Sequence, residues 1–450
     1  MIKYLKKLNL LILISLLCLT LTKSEKVFSA TSAITTLENK TENQDIIPDA
    51  LYQRVWELIK SEYVDQTFNN QDWNIWKDRY KGKLKTVDDA YKAIETMLAS
   101  LGDRYTRFLN KKDFEDEKQA INAKLSGIGI QIGLDKSQRL IVIAPIEGTP
   151  AYKAGLRPSD EIIEINGKST KGISVDEAAT QIKGPVNTKV TLSIQRGKEI
   201  LKKTITRAEI SIKAIAKGDA KIIKKNIGYI RLNSFISQEA SKEMKEAIKK
   251  LQEAEGLIID LRNNPGGLLT NAIEISDMFL DRGVIVSTVD RDGYIQSVNA
   301  EEKVVTEKPV VVLVNENSAS ASEIFGGALK DNQRATVVGS KTFGKGLVQG
   351  INKLDDGSGV NITIAKYLTP AKIDINELGI KPDVEVKLSI DDYKNSKGPW
   401  FSDPNNLPSK RDPTDGKDAQ LVKGIETIKD MIRSNQKAEY KRNKDKISKE

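Results

Sequence analysis

The sequence predicts a mixed α/β protein (α+β and α/β elements together) with an N-terminal helical segment, a small β-rich domain and a larger core. Three observations predict this class. Apolar residues recur at helical spacing through residues 47–101, and short apolar runs separated by turn residues fill residues 124–208. Apolar runs then alternate with amphipathic stretches, which is typical of βαβ units.

Residues 1–29 have the pattern of a secretory signal peptide. Three lysines precede an apolar run at residues 8–21, which is shorter than the roughly 20 residues that a membrane-spanning helix needs. Small residues around Ser29 offer a cleavage site. Residues 30–46, rich in Thr, Asn, Glu and Ser, are expected to be a linker. We therefore expect an exported protein, with an uncleaved membrane anchor as the alternative.

The composition excludes several kinds of chemistry. The chain has no histidine, and its only cysteine, Cys18, lies in the predicted signal. Ser-His-Asp triads, Cys-His pairs, disulfides and Cys/His metal sites are therefore excluded from the mature protein. The net charge of +9 falls to about +5 without residues 1–29, which hold five lysines and one glutamate. We expect no nucleic-acid partner and no cofactor.

Residues 47–123 are expected to form the N-terminal helical region. Its first helix is indicated by five apolar residues at helical spacing, Leu51, Val55, Trp56, Leu58 and Ile59. A second amphipathic helix, Val87–Leu101, begins after Thr86, which is a favourable N-cap residue. Trp73 and Trp76 are expected to pack in a core.

Residues 124–208 contain short strands, tight turns and one helix, Val175–Ile182. The expected strands are Ile128–Leu134, Leu140–Ile143, Glu161–Ile165 and Lys189–Gln195. With Leu-Ser-Gly-Ile-Gly-Ile at residues 125–130, the unit resembles a PDZ domain. PDZ domains hold the terminal carboxylate of a peptide with backbone N–H groups of such a loop.

The PDZ resemblance assigns substrate binding to one loop. Its residues are Gly127, Ile128, Gly129 and Ile130. The glycines would allow a close backbone approach, and the isoleucine side chains would face the last residue of the peptide. The alternative is a hairpin whose glycines only relieve strain.

Residues 209–432 are expected to form the core, followed by a solvated charged tail at 433–450. The expected strands are Ile227–Leu232, Gly256–Leu261 and Val310–Val314, and the expected helices are Gln238–Leu251 and Leu268–Leu280. Functional loops of such sheets lie at the carboxyl ends of strands. Two unusual segments follow strands in this way, Asn-Asn-Pro-Gly-Gly at 263–267 and Ser-Ala-Ser-Ala-Ser-Glu at 318–323.

Ser320 is the candidate nucleophile. A helix predicted from Ala321 to Leu329 would place Ser320 at its N-terminus, where free N–H groups can stabilise an oxyanion. The expected oxyanion donors are the N–H groups of Ala321 and Gly266. On the motif alone, Ser320 and Glu323 also match a capping box, which is a purely structural alternative.

If the chain hydrolyses a substrate through serine, the lack of histidine means that a lysine must accept the serine proton. Lys345 lies in Thr-Phe-Gly-Lys-Gly at residues 342–346. As a base it must be neutral, so its pKa must fall from about 10.4 by roughly 3 units, a cost of about 4 kcal/mol that requires a dry pocket. Gln349 cannot titrate and suits a group that orients the amine.

Several motifs now occur in a characteristic order. Asn-Pro-Gly-Gly, Ser-Ala-Ser-Ala-Ser-Glu-Ile, Gly-Ser-Lys-Thr-Phe-Gly-Lys-Gly-Leu-Val-Gln and Gly-Ile-Lys-Pro-Asp-Val follow a PDZ-like unit. Over residues 47–432 the chain thus resembles the carboxyl-terminal processing (tail-specific) peptidases. The resemblance places the nucleophile, lysine base and assisting glutamine on Ser320, Lys345 and Gln349. The oxyanion donors fall on Gly266 and Ala321.

The resemblance implies an extracytoplasmic serine endopeptidase that acts on proteins with free, apolar C-termini, in the periplasm or thylakoid lumen. It is strongest to cyanobacterial and chloroplast members, whose noted substrate is a photosystem II reaction-centre precursor. Asp331 matches an aspartate discussed in some members, and we expect it to be structural. Arg104 stands where proline is more usual. The alternative is a catalytically silent PDZ scaffold; a penicillin-binding-type site is disfavoured, because Lys345 is too far from Ser320 for Ser-x-x-Lys.

Overall fold

The structure is a computed structural model that describes most of the chain after residue 46. The described residues are 47–121, 124–135, 137–145, 149–157, 160–211, 213–216, 218–301, 304–389, 391–392, 395, 397–401 and 412–447. The predicted signal peptide (1–29) and linker (30–46) lie outside them. Within these ranges, no helix combines the length and the apolar character needed to cross a membrane.

The N-terminal region is helical, as predicted, and packs on a later sheet. Its elements are α1 (Pro48–Glu62), α2 (Asn74–Lys77), α3 (Val87–Ala99), β1 (Arg107–Leu109) and α4 (Lys111–Ile121). Thr86 and Asp89 form a capping box at the start of α3. Trp56, Trp73 and Trp76 are buried together with Val360 and Ile362, so the tryptophans belong to a core.

The β-rich domain forms an antiparallel sheet with a helix beside one edge. Its elements are β2 (Lys124–Gly127), β3 (Ile130–Leu134), β4 (Leu140–Pro145), α5 (Pro150–Lys153), β5 (Glu161–Ile165), β6 (Lys168–Ser169), α6 (Val175–Ile182), β7 (Lys189–Arg196), β8 (Glu199–Thr206) and β9 (Ala208–Ser211). The strand order is β3-β4-β5-β7-β8, and β2 pairs with β9. Strand β3 is therefore an edge strand among the described strands, and α6 lies against it.

The core contains two sheets. Its elements are β10 (Ala220–Ile223), β11 (Ile227–Arg231), α7 (Ala240–Lys250), β12 (Gly256–Asp260), α8 (Leu269–Asp277), β13 (Val284–Asp290), β14 (Ile295–Asn299), β15 (Val310–Val314), α9 (Ala321–Asp331), β16 (Ala335–Gly339), β17 (Leu347–Lys353), β18 (Gly359–Leu368), β19 (Val384–Glu385) and α10 (Ala419–Ile447). The main sheet has the order β10-β11-β12-β15-β16-β19 and is parallel from β11 onward.

Helices cover both faces of the main sheet, which explains why β12 and β15 are apolar throughout. Helices α7, α8 and α9 contribute to the core on one face. Four residues of α10 pack on the other face, Leu421, Ile425, Ile428 and Ile432. Helix α10 then continues to Ile447, so no break of secondary structure occurs at the predicted boundary between core and tail.

The second sheet joins the N-terminal region to the core. Its order is β1-β18-β13-β14, and β17 pairs antiparallel with β18. Strand β17 has β18 as its one neighbour among the described strands, so its other edge is open.

A buried charge network fixes the end of β12. The guanidinium of Arg262 is fully buried and donates hydrogen bonds to Asp260 (2.6 Å) and Asp418 (2.7 Å). The hydroxyl of Tyr229 donates to the same Asp260 carboxylate at 2.7 Å. Each buried charge thus has partners, as its removal from water requires. The network ties the start of α10 to the segment just before the Asn-Pro-Gly-Gly turn.

Candidate active site

Two loops meet at the carboxyl edge of the main sheet, because β12 and β15 are parallel neighbours. The N–H of Asn263 donates to Oδ1 of Asn315 at 2.8 Å, and Nδ2 of Asn315 donates to Oδ1 of Asn263 at 2.7 Å. These paired amides hold the glycine-rich turn against the serine cluster.

Gly266 packs directly on the serine turn. Its φ is +97°, and an added Cβ would lie 2.8 Å from the nitrogen of Ala321 and 2.9 Å from Cβ of Ser320. Only glycine fits this position. The two predicted oxyanion donors are therefore adjacent. In this structure, however, the N–H of Gly266 donates to Oδ1 of Asn264 at 2.9 Å, a partner that the sequence did not indicate.

The three serines of the cluster have different surroundings. The hydroxyl of Ser318 donates to the carbonyl of Leu261 (2.8 Å), and that of Ser322 donates to the carbonyl of Asn264 (2.9 Å). Both are fully buried. Ser320 instead lines a cavity. Ser318 and Ser322 therefore connect the two loops, and Ser320 is the serine that a substrate can reach.

Ser320 has a strained backbone, with φ 55° and ψ −116° at the start of α9. Such conformations cost about 1–3 kcal/mol in non-glycine residues and are frequent at functional sites. The Glu323 carboxylate holds this geometry by accepting the N–H of Ser320 at 2.8 Å. The carboxylate contact of the predicted capping box is thus present, and it coexists with a cavity-facing Ser320.

A cavity of about 940 Å³ brings Ser320, Lys345 and Gln349 together. Its apolar lining includes Ile236, Leu268, Leu269, Val348, Ile351 and Ile364. The PDZ-like loop, residues 127–130, is not part of the described lining. The structure therefore unites the three predicted catalytic side chains and leaves the predicted peptide-binding loop outside their cavity.

Glu323 connects the serine turn to the lysine turn. It is 1% exposed, and its Oε1 accepts the Thr342 hydroxyl (2.6 Å) and the N–H of Gly344 (2.7 Å). Its Oε2 accepts the N–H groups of Ser320 (2.8 Å) and Lys345 (2.9 Å). One buried carboxylate thus fixes both turns. The sequence indicated only its contact with Ser320.

The amine of Lys345 lies over the ring of Tyr105, with Nζ 4.8 Å from the ring centroid. The described hydrogen bonds include none between this amine and Ser320. Burial lowers the pKa of Lys345, and Arg107 and Arg104 act in the same direction, whereas Glu117 and Asp103 oppose it. The predicted dry pocket is consistent with this direction.

Gln349 follows an irregularity in the pairing of β17 with β18, between Val348 and Gln349. Such irregularities redirect side chains. Nε2 of Gln349 is buried and has no hydrogen-bond partner among the described residues. It is a free donor at the cavity, close in sequence to Lys345.

Asp331 lies at the end of α9 and is not among the described residues that line the cavity. Its Oδ2 accepts the N–H of Ala371 at 3.0 Å. The structural role that we expected for Asp331 stays a prediction.

The PDZ-like loop requires one correction. Ile128 is 1% exposed and packs in the core of the β-rich domain, so its side chain cannot face a peptide, and only its backbone is available. Ile130 is partly buried against the same core. Gly129 has φ +76°, and an added Cβ would collide with Thr149, whereas a Cβ on Gly127 meets nothing within 4 Å. Ile128 and Ile130 thus share one face, as alternation predicts, but that face packs on the domain core and not on a peptide groove.

Similarity to known proteins decides the family. The model of peptidase family S41 matches residues 226–386, and the PDZ domain model matches residues 117–195. A carboxyl-terminal-processing protease of Synechocystis sp. is 45% identical over 342 residues, covering 74% of this chain and 80% of that protein. The chain belongs to peptidase family S41.

Other similar proteins of the S41 type agree. Carboxyl-terminal-processing peptidase 3 of Arabidopsis thaliana, described as chloroplastic, is 36% identical and covers 75% of this chain and 68% of its own length. A solved photosystem II D1 C-terminal processing protease is 32% identical, with TM-score 0.54, covering 76% of this chain and 94% of that chain. The predicted family, fold class and serine-type peptidase activity are confirmed. The alternative of a silent scaffold has no support.

Tyr105 and its contacts beside the S41 peptidase cavity escaped the sequence interpretation. Tyr105 contacts the Lys345 amine, and the Arg104 guanidinium lies 4.8 Å from the centroid of the same ring. Asp103 fixes the ring from the backbone, because its Oδ1 accepts the N–H of Tyr105 at 2.8 Å. The signal available was the break after α3, which the sequence marked only as the end of a helix.

We expect the acid limb of the pH profile to report Lys345. If the neutral amine is the active form, kcat/KM rises as the pH passes upward through the lowered pKa of Lys345. Arg107→Gln removes a cation and leaves Glu117 without its 2.9 Å partner, and both changes raise the pKa and move the limb to higher pH. Glu117→Gln removes an anion, which lowers the pKa of Lys345 and moves the acid limb to lower pH.

The measurement is kcat/KM against pH on one peptide substrate at constant ionic strength. Arg107 is partly exposed, so we expect shifts below about one pH unit. Shifts of both variants in the same direction would contradict the assignment of the limb to Lys345.

Proposed function

We propose that Ser320 is the nucleophile and Lys345 the general base of this peptidase. Gly266 and Ala321 donate to the oxyanion, and Gln349 orients the lysine amine. The observation that carries the proposal is the shared cavity of Ser320, Lys345 and Gln349, with Gly266 packed on the serine turn. The strained backbone of Ser320 and the lowered pKa of Lys345 support the same roles.

In the proposed mechanism, neutral Nζ of Lys345 accepts the hydroxyl proton while Oγ of Ser320 bonds to the scissile carbonyl carbon. The carbonyl oxygen becomes an oxyanion held by N–H groups. When the C–N bond breaks, the Lys345 ammonium gives its proton to the leaving amine. Water then attacks the acyl-enzyme, Lys345 accepts a water proton and returns it to Oγ, and a carboxylic acid product leaves.

Two adjustments precede this chemistry. The Lys345 amine must turn from the ring of Tyr105 to the hydroxyl of Ser320, and the N–H of Gly266 must be released by Asn264 or shared with it. Catalytic hydrogen bonds are often incomplete before substrate binds. Substrate entry would also displace water, which favours the neutral amine further.

The PDZ domain is proposed to capture the substrate C-terminus. Strand β3 has an open edge beside α6, which is the arrangement to which a peptide adds as a further strand. The backbone N–H groups of Gly127, Ile128, Gly129 and Ile130 are the proposed donors to the terminal carboxylate. Because Ile128 is buried, Ile130 is the one of its two isoleucines that can contact the last substrate residue.

The proposed substrate is an exported protein precursor with a free, apolar C-terminus. The predicted signal peptide, the chloroplastic relative and the structure named for photosystem II D1 processing support the periplasm or thylakoid lumen. By the same comparison, the precursor of a photosystem II reaction-centre subunit is the first substrate to test. If the signal peptide is not cleaved, it is the one proposed link between the peptidase and the membrane.

Amidating the C-terminus of a substrate peptide should lower kcat/KM by about ten- to hundredfold. Amidation removes a charge from a site of N–H donors, and a charge-assisted hydrogen bond is worth roughly 1.5–3 kcal/mol. Gly129→Ala should lower kcat/KM for the free-acid peptide by a similar factor and should not lower it for the amidated peptide, because the added Cβ strains the loop against Thr149. Gly127→Ala is the matched control, since its added methyl group meets open space.

The test uses purified protein, paired free-acid and amidated peptides, and product masses. Equal cleavage of both peptides would remove the C-terminal recognition and leave the Ser/Lys chemistry in place. Absence of any cleavage of an unstructured protein substrate would contradict the proposed function as a whole.

A further inference from the structure

One residue that lines the cavity has a buried acceptor without a partner among the described residues. Asn361 lines the cavity and is 5% exposed. Its Nδ2 donates to Oε1 of Glu117 at 2.6 Å, while its Oδ1 is buried and has no hydrogen-bond partner among the described residues. A buried acceptor left unpaired costs about 1–3 kcal/mol, so a group that binds there is favoured.

The orientation of the Asn361 amide follows from its neighbour. The Glu117 carboxylate accepts a hydrogen bond from the guanidinium of Arg107 at 2.9 Å, so it acts as an acceptor in this pair. The Glu117 carboxylate therefore faces the Nδ2 group of Asn361, which donates a hydrogen bond to it. The opposite orientation would place Oδ1 against a carboxylate oxygen. Oδ1 consequently remains the free group.

The position of Asn361 relates it to the reacting groups. Asn361 lies opposite Ile351 in the pairing of β17 with β18, and Gln349 lies opposite Thr363. Gln349 and Asn361 are thus diagonal neighbours, roughly 7–8 Å apart on one face of the sheet. Strand β17 starts two residues after Lys345 and lines the cavity from Leu347 to Asn352. An extended chain rises about 3.3 Å per residue. A substrate that lies along this sheet would therefore contact Asn361 about two of its own residues away from the point where it contacts Gln349.

Given the proposed function, we propose that Asn361 is a substrate-binding residue whose Oδ1 accepts a hydrogen bond from a backbone N–H of the substrate, a few residues from the scissile bond. Every residue except proline supplies such an N–H at a regular spacing. The site therefore selects extended backbone and rejects proline at one position.

The experiment replaces single amide N–H groups of a peptide substrate by ester oxygens, one position at a time, away from the scissile bond. At one position the wild-type enzyme should lose about tenfold in kcat/KM, the effect of one hydrogen bond to a buried acceptor. In Asn361→Leu, the same ester should cost almost nothing at that position. The weaker carbonyl of an ester affects both enzymes equally and cancels in this comparison.

Asn352→Leu is the matched control. Asn352 lines the same cavity, and its Nδ2 donates to Glu62 at 3.1 Å, but its Oδ1 is not a buried unpaired acceptor. We expect the ester penalty to be the same in this variant as in the wild type. Asn361→Ala provides a second test if Asn361→Leu does not fold, as judged by its melting temperature.

An ester penalty that is equal in the wild type and in the Asn361 variants would overturn the proposal. Loss only on removal of a substrate side-chain hydroxyl or amide would overturn it too, because the contact would then be to a side chain. Failure of the proposed function is distinguishable, since the wild type would then not cleave the all-amide peptide at all.

Discussion

Lys345→Arg is expected to abolish measurable peptidase activity while the protein stays folded. General base catalysis contributes about 10²–10⁴-fold, and a guanidinium cannot give up its proton at working pH. The Lys345 side chain lies at the cavity, and the contact of its backbone N–H with Glu323 does not depend on the side chain. The fold should therefore tolerate the change. Cleavage rate and melting temperature, measured on the same preparation, check both parts.

Ser320→Ala should be equally inactive, because no other hydroxyl of the cluster reaches the cavity. Ser318→Ala and Ser322→Ala are the controls. Each removes one hydrogen bond between the loops, with an expected loss of about 1–3 kcal/mol of stability and residual cleavage. Substantial activity in Ser320→Ala, with loss in one of the two controls, would show that the nucleophile is another serine.

Glu323→Ala should lower kcat by about 10²-fold or more and destabilise the fold by at least about 2 kcal/mol. The substitution leaves four donors, from Ser320, Thr342, Gly344 and Lys345, without their acceptor. Both reacting turns then lose their common support. Since small misplacements of reacting groups cost large factors in rate, kcat should fall more than KM rises.

A graded series of substitutions separates the effect on the positions of the reacting groups from the effect on the stability of the fold. Thr342→Val removes one of the four donors and should have a smaller effect on both quantities. Steady-state kinetics and denaturant unfolding of Glu323→Ala, Glu323→Gln and Thr342→Val provide the measurement. If Glu323→Ala kept the wild-type kcat at a temperature where it is fully folded, the carboxylate would not position Ser320 and Lys345.

Local patterns predicted most elements closely. Helix Val175–Ile182 and strand Val310–Val314 have the predicted bounds, because apolar patterns are properties of neighbouring residues. The expected helix Leu268–Leu280 is shorter, Leu269–Asp277, and the expected strand from Ile128 starts at Ile130. Ends depend on packing, which the sequence pattern does not contain. Ile128 shows a second limit, because the sequence pattern does not say which face of a segment packs on the domain core.

By itself, the sequence determined the chemistry that is possible. The lack of histidine left lysine as the candidate base, the order of motifs indicated the family, and strand and helix periods placed both loops at one sheet edge. Only the tertiary structure decided which serine faces the cavity, that Glu323 joins both turns, and that Tyr105 holds the Lys345 amine. The reason is physical: burial, pKa and hydrogen bonding arise from residues that are distant in sequence and meet only when the sheets pack.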